Sequence, residues 1–284
     1  MARRLYKRGL MPLPRPVLFG TAALVLLSIV AVGAWWGFGP GADNDDALPL
    51  PPEAPRLVDA PDYERCLLRL RDDPEGARAL AEAWEAAGGG EGARHCAALA
   101  LIPLGEPGRA APLLQALARA SDAGPAARAA VFGQAGQAWM QAGDTAQALA
   151  AISAALALTP RNPDLLVDRA IAAAALMRLD AALADLDAAV AIDPQRAEAW
   201  VLRAAMLRRL DRIAAAVADI DRAVALEPDN AEALLERGIL RQLRGDAAGA
   251  RADWTRAMEL APDSATADLA MQNLALSEAG PQRN

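Results

Sequence analysis

Along most of the chain, apolar residues recur every three or four positions, and short breaks that contain proline or glycine separate the apolar segments. This spacing puts apolar side chains on one face of a helix, whereas a half-buried strand would show strict alternation. Tyr63, Leu67 and Leu70 share such a face, and a second helical segment follows Pro74. The pattern therefore predicts an all-α protein built from successive short helices.

One apolar segment differs from the others because it has no polar face. Residues 16–38 contain no charged side chain over 23 positions, which is long enough for a helix to cross a hydrocarbon core of about 30 Å. Residues 1–15 carry five basic side chains and no acidic one. A basic flank predicts a cytoplasmic N-terminus, with the rest of the chain on the opposite side. We therefore predict a basic cytoplasmic segment at 1–15 and a single transmembrane helix at 16–38.

Two alternatives exist for this segment. A buried core helix of the same length would normally keep a polar face, which this one lacks. A cleaved signal peptide is the stronger alternative, because Val32–Ala34 resembles a small-residue cleavage site. The apolar stretch exceeds the usual h-region of about 7–15 residues, so an uncleaved anchor is favoured.

A linker is predicted after the anchor. Residues 39–61 are dominated by proline and acidic side chains and show no helical apolar period. Such composition favours an extended spacer that holds a folded domain away from the membrane.

A period of 34 residues runs through the second half of the chain. Four prolines mark it: Pro160, Pro194, Pro228 and Pro262. Two columns of alanine and one of bulky residues keep the same interval: Ala148, Ala182, Ala216 and Ala250; Ala155, Ala189, Ala223 and Ala257; Ile152, Leu186, Ile220 and Trp254. A period of this length predicts a solenoid of stacked helical hairpins, because one hairpin cannot bury its own apolar face.

This arrangement resembles the tetratricopeptide repeat (TPR) family, with units at 129–162, 163–196, 197–230 and 231–264. The family's bulky fourth position is filled by Phe132, Leu166, Trp200 and Leu234, and its small eighth position by Gly136, Ala170, Ala204 and Gly238. Met177 and Asp211 stand where the family has glycine in the turn between helices. The resemblance implies a TPR-like α-solenoid of helical hairpins, preceded here by the single transmembrane helix.

The flanks of the four units extend the same interpretation. Residues 265–279 fit a capping helix whose polar face, with Asp268, Gln272 and Asn273, covers the end of the stack. The second-helix aspartates are expected on a solvated outer face: Asp180, Asp185, Asp187, Asp219 and Asp221. Residues 62–124 are interpreted as two divergent helical repeats, with an unrelated small helical domain as the alternative.

The chain has two cysteines, Cys66 and Cys96, and one histidine, His95. In this register both cysteines lie on first helices of adjacent units, so a disulfide is geometrically possible. An oxidising compartment would favour it, and two buried thiols are the alternative. Catalysis by a Cys–His pair is disfavoured, because adjacent helical side chains point about 100° apart. A His/Cys-rich metal centre is excluded, and neither a metal nor a cofactor is expected.

By the same resemblance, the first helices of the units form a groove for a partner. Six residues are the candidates to line it: Val167, Ile171, Val201, Arg208, Leu235 and Ile239. They predict a protein or peptide segment with an apolar face. The alternative is that part of this apolar strip packs against a neighbouring helix or against the chain's own C-terminal helix. The lysine and asparagine with which some family members grip a terminal carboxylate are absent, so that ligand class is disfavoured.

Composition and charge narrow the functional class. Apolar residues make up 54% of the chain and aromatics 4%, which favours helices packed through small side chains over a β fold. After residue 15 the chain holds 24 basic and 36 acidic residues, which opposes binding to nucleic acid. Alanine- and arginine-rich usage with a single lysine, Lys7, indicates a bacterial source.

The resulting expectation is a non-enzymatic scaffold or adaptor for protein–protein interactions, anchored in a bacterial inner membrane by residues 16–38 with its C-terminal domain in the periplasm. Assembly or biogenesis of envelope or membrane protein complexes is the expected role. The alternatives are a secreted periplasmic TPR adaptor with a cleaved signal peptide and, less favoured, an enzyme with a site in residues 60–124.

Overall fold

The computed structural model describes residues 56–279, and all of the structure below lies in that range. These residues form thirteen helices and no strand. The helices are α1 (Pro61–Leu70), α2 (Pro74–Ala86), α3 (Gly90–Ala100), α4 (Pro107–Ala120), α5 (Pro125–Gln141), α6 (Thr145–Leu158), α7 (Pro163–Ala175), α8 (Leu179–Ile192), α9 (Ala197–Arg209), α10 (Ile213–Leu226), α11 (Ala231–Leu243), α12 (Ala247–Leu260) and α13 (Ala265–Ala279).

The segments predicted at 1–15 and 16–38, and most of the linker, lie outside the described residues. Among the helices of residues 56–279, none combines the length and the hydropathy that a membrane span needs. The predicted anchor therefore stays a prediction.

Local sequence signals set where the helices begin. Proline occupies the first turn of α1, α2, α4, α5 and α7, where its missing N–H costs no helical hydrogen bond. At the starts of α2, α6, α7, α11 and α12 a capping carboxylate or amide oxygen accepts the N–H three residues later, at 2.8–3.2 Å: Asp73, Asp144, Asn162, Asn230 and Asp246. These caps satisfy backbone donors that would otherwise lack partners.

The turns inside the repeats keep one geometry whether or not they contain glycine. Gly143 and Gly245 have φ of 81° and 84°, and Met177 and Asp211 adopt φ of 60° and 58° at the equivalent places. The N–H that follows Met177, on Arg178, bonds the Ala173 carbonyl at 2.9 Å. Left-handed backbone costs a non-glycine residue about 1–2 kcal/mol. The packing of the flanking helices thus holds Met177 and Asp211 in a conformation that glycine adopts freely.

Each helix packs on its neighbours in sequence, and the first helices of successive units also touch, as α5 does with α7 and α9 with α11. The 34-residue columns form the core. The eight column alanines are 0% exposed, and Ile152, Leu186, Ile220 and Trp254 are at most 1% exposed. Small residues at the eighth position make room for these side chains, since a Cβ on Gly136 would overlap Ile152. The all-α TPR-like solenoid is confirmed for the described residues.

Two of the second-helix aspartates do not lie on a solvated outer face. Asp185 and Asp219 are only 8% and 6% exposed. Each accepts two hydrogen bonds, at 2.6–2.8 Å, from an arginine on the first helix of its own unit, Arg169 or Arg203. The expectation was wrong for these two because each has a cationic partner 16 positions earlier in the chain.

The same pair recurs in the last unit, where Arg237 donates to Asp253 at 2.6 and 2.9 Å and Arg241 adds a third bond at 2.7 Å. Asp253 is 4% exposed. Three units therefore carry an arginine at the seventh position and a buried aspartate at the twenty-third, which we call the Arg–Asp pairs. In the unit 129–162, alanines fill both positions.

The ends of the helical stack differ from the sequence expectation. Residues 56–61 do not all belong to the linker, because α1 begins at Pro61 and Leu57 packs into the main core. At the other end, α13 packs on α11 and α12. Its exposed side carries Leu269, Met271 and Leu276 beside the expected polar residues. The outer face of the last helix is thus more apolar than a polar cap would be.

Candidate functional site

A cleft of about 320 Å³ lies between the first helices α5 and α7, within the groove predicted along α5, α7, α9 and α11. Small residues of α5, Ala130 and Gly133, form one side. Gln134 and Gln137 project from the same helix, and Asp168 of α7 lies opposite them. We call this the α5–α7 cleft. The cleft is lined by small side chains such as Ala130 and bordered by polar ones. It can therefore admit the main chain of a partner segment and contact the side chains of that segment.

The six predicted groove residues do not form one exposed strip. Val167 and Val201 are 2% and 7% exposed, whereas Ile171 is 36% exposed. Leu235 and Ile239 are half-buried against the cluster around Trp254. The fifth position faces the next first helix, as shown by Gly133, where a Cβ would lie 2.9 Å from Leu165 Cδ2. Val167 and Val201, at the same position of their units, belong to the main core. The groove as a partner site stays a prediction.

Arg208, the sixth candidate, is engaged by the protein itself. Its Nε donates to Glu236 Oε1 at 2.6 Å and its Nη2 to Oε2 at 3.1 Å. Glu236 is 6% exposed, so this pair joins α9 to α11 beneath the surface. Arg208 therefore contributes more to the contact between units than to a free basic surface.

The α5–α7 cleft is acidic. Sequence reasoning placed Asp164, Glu198 and Glu232 beside the groove but missed Asp168. Gln137 Nε2 donates to Asp168 Oδ2 at 3.2 Å. Burial raises the pKa of Asp168, the Gln137 bond partly offsets this, and the charges of Glu198 and Asp164 raise it further, against Arg196. Asp164 and Asp168 are four residues apart on a helix, and that spacing is the signal that places both on one face.

The two cysteines are brought together. Cys66 of α1 and Cys96 of α3 form a disulfide, with a Cα–Cα distance of 6.3 Å, and both are fully buried. With both sulfurs bonded, neither is a thiolate nucleophile. The bond ties α1 to α3 next to His95.

His95 links three helices through a buried hydrogen-bonded chain. The Tyr63 hydroxyl on α1 lies 2.5 Å from His95 Nδ1, and His95 Nε2 lies 2.6 Å from Gln134 Oε1 on α5. An amide oxygen only accepts, so Nε2 carries the proton and Nδ1 accepts from the hydroxyl. Burial lowers the pKa of His95, which the bond to Gln134 partly offsets, and burial raises the pKa of Tyr63 to about 12. Both groups are therefore neutral at pH 7.

We expect His95 to make the fold sensitive to mild acid. Above pH 6.5, the usual pKa of histidine, the residue is neutral whether folded or unfolded. Below it, the unfolded chain takes up a proton that the folded protein resists, so the free energy of unfolding falls until the lowered native pKa is passed. The slope is at most about 1.4 kcal/mol per pH unit for one proton. Urea unfolding followed by circular dichroism between about pH 7.5 and 5 measures it.

The matched variant is His95→Gln, which keeps a hydrogen-bonding side chain and cannot titrate. Its unfolding free energy should change less with pH than that of the wild type. The raised pKa of Asp168 acts in the opposite direction, adding stability as pH falls, but equally in both proteins. Parallel pH curves for the two proteins would show that His95 does not cause the sensitivity.

Within residues 56–279, no group of three or more histidine, cysteine, aspartate or glutamate side chains is arranged to hold a metal ion. The polar groups in the first-helix groove are suited to hydrogen bonding and ion pairing with another molecule. The chemistry that this arrangement supports is non-covalent binding.

Sequence comparison agrees with this geometry. Family models described as tetratricopeptide repeat match residues 97–163, 136–208 and 202–275. Together they span well over half of the chain and include part of the divergent region. The chain belongs to the tetratricopeptide repeat family, a class suited to protein–protein interaction and typically without enzymatic activity.

Solved structures share the fold at low sequence identity. The APC/C hetero-tetramer Cut9-Hcn1 aligns with a TM-score of 0.61 and 16% identity over 76% of this chain, which spans only 42% of that one. TTC0263, a thermophilic TPR protein of Thermus thermophilus, gives 0.52 and 23%, covering 66% of this chain and 99% of its own. YrrB, described as a TPR protein with an unusual peptide-binding site, gives 0.51 and 19%, covering 68% and 95%. No curated protein sequence matches.

Proposed function

We propose that the protein is a scaffold or adaptor that binds a segment of another polypeptide in its first-helix groove. The observation that carries this proposal is the α5–α7 cleft, where the small side chains of Ala126 and Ala130 leave room for a main chain and Gln137, Asp168 and Ile171 offer polar and apolar contacts. YrrB, which has this fold, is described as having a peptide-binding site, which supports a peptide ligand here.

We further propose that residues 16–38 anchor the chain in a bacterial inner membrane and that the repeats lie in the periplasm. The charge-free segment and its basic flank support the anchor. The Cys66–Cys96 pairing supports an oxidising compartment, because such bonds persist there and are rare in the cytosol. Assembly of envelope or membrane protein complexes is the role we assign, since a tethered repeat domain can hold its partner near the bilayer.

An enzymatic site in residues 60–124 has little support in this part of the structure. The single histidine is buried, with both ring nitrogens hydrogen-bonded to Tyr63 and Gln134. The two cysteines are bonded to each other. These groups therefore hold helices together and do not face a substrate.

Site-specific photo-crosslinking in native membranes tests the binding function. A photoreactive residue replaces Ile171 in the groove or, as the matched control, Ala184 on the exposed side of α8. We expect a discrete crosslinked polypeptide from position 171 and none from position 184. Identical adducts from both positions, or none from 171, would remove the groove from consideration.

Fractionation tests the anchor. The full chain should remain with membranes after carbonate washing, and its mass should include residues 1–38. Cys66 and Cys96 should resist alkylation until a reductant is added to the unfolded protein. A soluble chain that has lost the apolar segment would favour the secreted alternative, and free thiols in cells would contradict the periplasmic assignment.

A further inference from the structure

We infer that the partner segment is basic and apolar: it places a lysine or arginine against Asp168 in the α5–α7 cleft and a large apolar side chain against Ile171. This inference rests on the proposed function and adds the chemistry of the partner. The inferred partner is positively charged where it meets the cleft, in contrast to the terminal carboxylate that some family members bind.

Carboxylates make the cleft negative. Asp164 and Asp168 line it, and the charge of Glu198 on α9 acts on Asp168 together with that of Asp164. Asp164 and Glu198 lie in the first turns of α7 and α9, where the helix dipole alone favours an acidic residue. Asp168 lies a turn further along, is partly buried and accepts from the neutral Gln137. A helix-end preference therefore does not account for Asp168.

The nearby arginines leave the cleft negative. Arg196 contacts Asp164 and Glu198, and its Nε lies 3.6 Å from Asp193 Oδ2. Arg208 is held by Glu236. Among the described residues, Asp168 forms no ion pair with an arginine. A cationic side chain of a partner would supply that charge, whereas an acidic partner would be repelled.

The apolar contact adjoins the acidic one. Ile171 is one turn after Asp168 on α7, and both border a smaller pocket with Met140 and Gln137. Side chains three apart on a helix lie about 5–6 Å from each other. A basic residue and an apolar residue close together in a partner segment match this separation, and the small side chains of Ala126 and Ala130 let the segment approach.

Three labelled twelve-residue peptides test the inference by fluorescence anisotropy on the full chain in zwitterionic nanodiscs. They are three copies of Gly-Lys-Leu-Ser, of Gly-Glu-Leu-Ser and of Gly-Lys-Gly-Ser. The first should bind at least about tenfold more tightly than the second, because the cleft favours cations. The third should bind more weakly than the first because it lacks the apolar side chain.

Two variants with equal changes in net charge locate the site. Asp164→Asn, Asp168→Asn and Glu198→Gln together should weaken binding of the Lys-Leu peptide by about tenfold. Asp180→Asn, Asp263→Asn and Glu278→Gln remove the same charges from exposed positions outside the groove and should leave binding within about twofold, as screened distant charges do. Circular dichroism confirms folding, and Asp168→Asn alone replaces the triple variant if that does not fold.

Equal loss of affinity in both triple variants, or tighter binding of the Glu-Leu peptide, would overturn the inference. So would the absence of any binding by the Lys-Leu peptide. Crosslinking from position 171 decides the proposed function separately. A discrete crosslinked partner without a preference for lysine would leave the binding function standing and refute only the basic partner.

Discussion

Replacing Arg203 by methionine is expected to lower the free energy of unfolding by about 3 kcal/mol, because it leaves Asp219 buried without its cation. Asp219 is 6% exposed and receives both of its close hydrogen bonds from Arg203. The arginine is partly exposed, so we expect the lower end of the range for a broken buried pair. Urea unfolding monitored by far-ultraviolet circular dichroism measures the change.

Two controls sharpen this prediction. The double variant Arg203→Met and Asp219→Leu removes both charges and should recover most of the lost stability. Arg256→Met removes a cation from pairs with Asp229 and Glu259 in which all the side chains are exposed, and should cost far less than Arg203→Met because exposed ion pairs contribute little to stability. A loss at Arg203 no larger than that at Arg256 would show that burial of the aspartate does not matter.

Replacing Trp254 by alanine is expected to cost about 3–5 kcal/mol, the usual range for removing a large buried aromatic side chain. The indole is 1% exposed and belongs to a separate C-terminal core cluster with Leu234 and Ala270. Its Nε1 donates to the Leu235 carbonyl at 3.3 Å. Because Ala270 lies on α13, we expect the last helix to loosen first. Hydrogen exchange with mass spectrometry should show that Trp254→Ala accelerates exchange, relative to the wild type, more in α11–α13 than in α5–α8.

Trp254→Phe is the control, since it keeps a ring against Gly238 and loses the indole N–H. It should cost less than the alanine variant and leave α13 largely protected. Uniform loss of protection along the whole stack in Trp254→Ala would contradict a locally cooperative C-terminal cluster and would indicate one cooperative unit instead.

The repeat architecture was predictable because residues with the same packing role recur every 34 positions. Ala148 and Ile152, for example, have counterparts in each unit, and both prove buried where two helices of a unit meet. Proline and capping residues then indicate most helix starts. Four helices were also predicted within residues 62–124, although with weaker periodicity, and α1–α4 cover this region. The family model extends from residue 97, and the assignment of the whole region to two divergent repeats stays a prediction.

Burial of individual side chains was less predictable. Asp185 was assigned to solvent from its own helix, but its partner Arg169 lies on another helix of the unit. Val167 was placed in the groove by position, whereas it is 2% exposed and belongs to the main core. Asp168 was overlooked since its significance depends on Gln137 and on charges from the next unit. Each of these facts depends on distances between helices, which no local pattern contains.

The Arg–Asp pairs have a consequence for how such a chain changes length. Each buried aspartate finds its main partner within its own unit, as Asp219 does in Arg203 and Asp253 in Arg237. Deleting or duplicating one 34-residue segment would remove or add both charges of such a pair together. The Arg208–Glu236 pair joins two units and is the exception, because deleting residues 197–230 would leave Glu236 buried without its cation. The Arg–Asp pairs thus allow the stack to change length in whole units, provided that Arg208 and Glu236 are kept together.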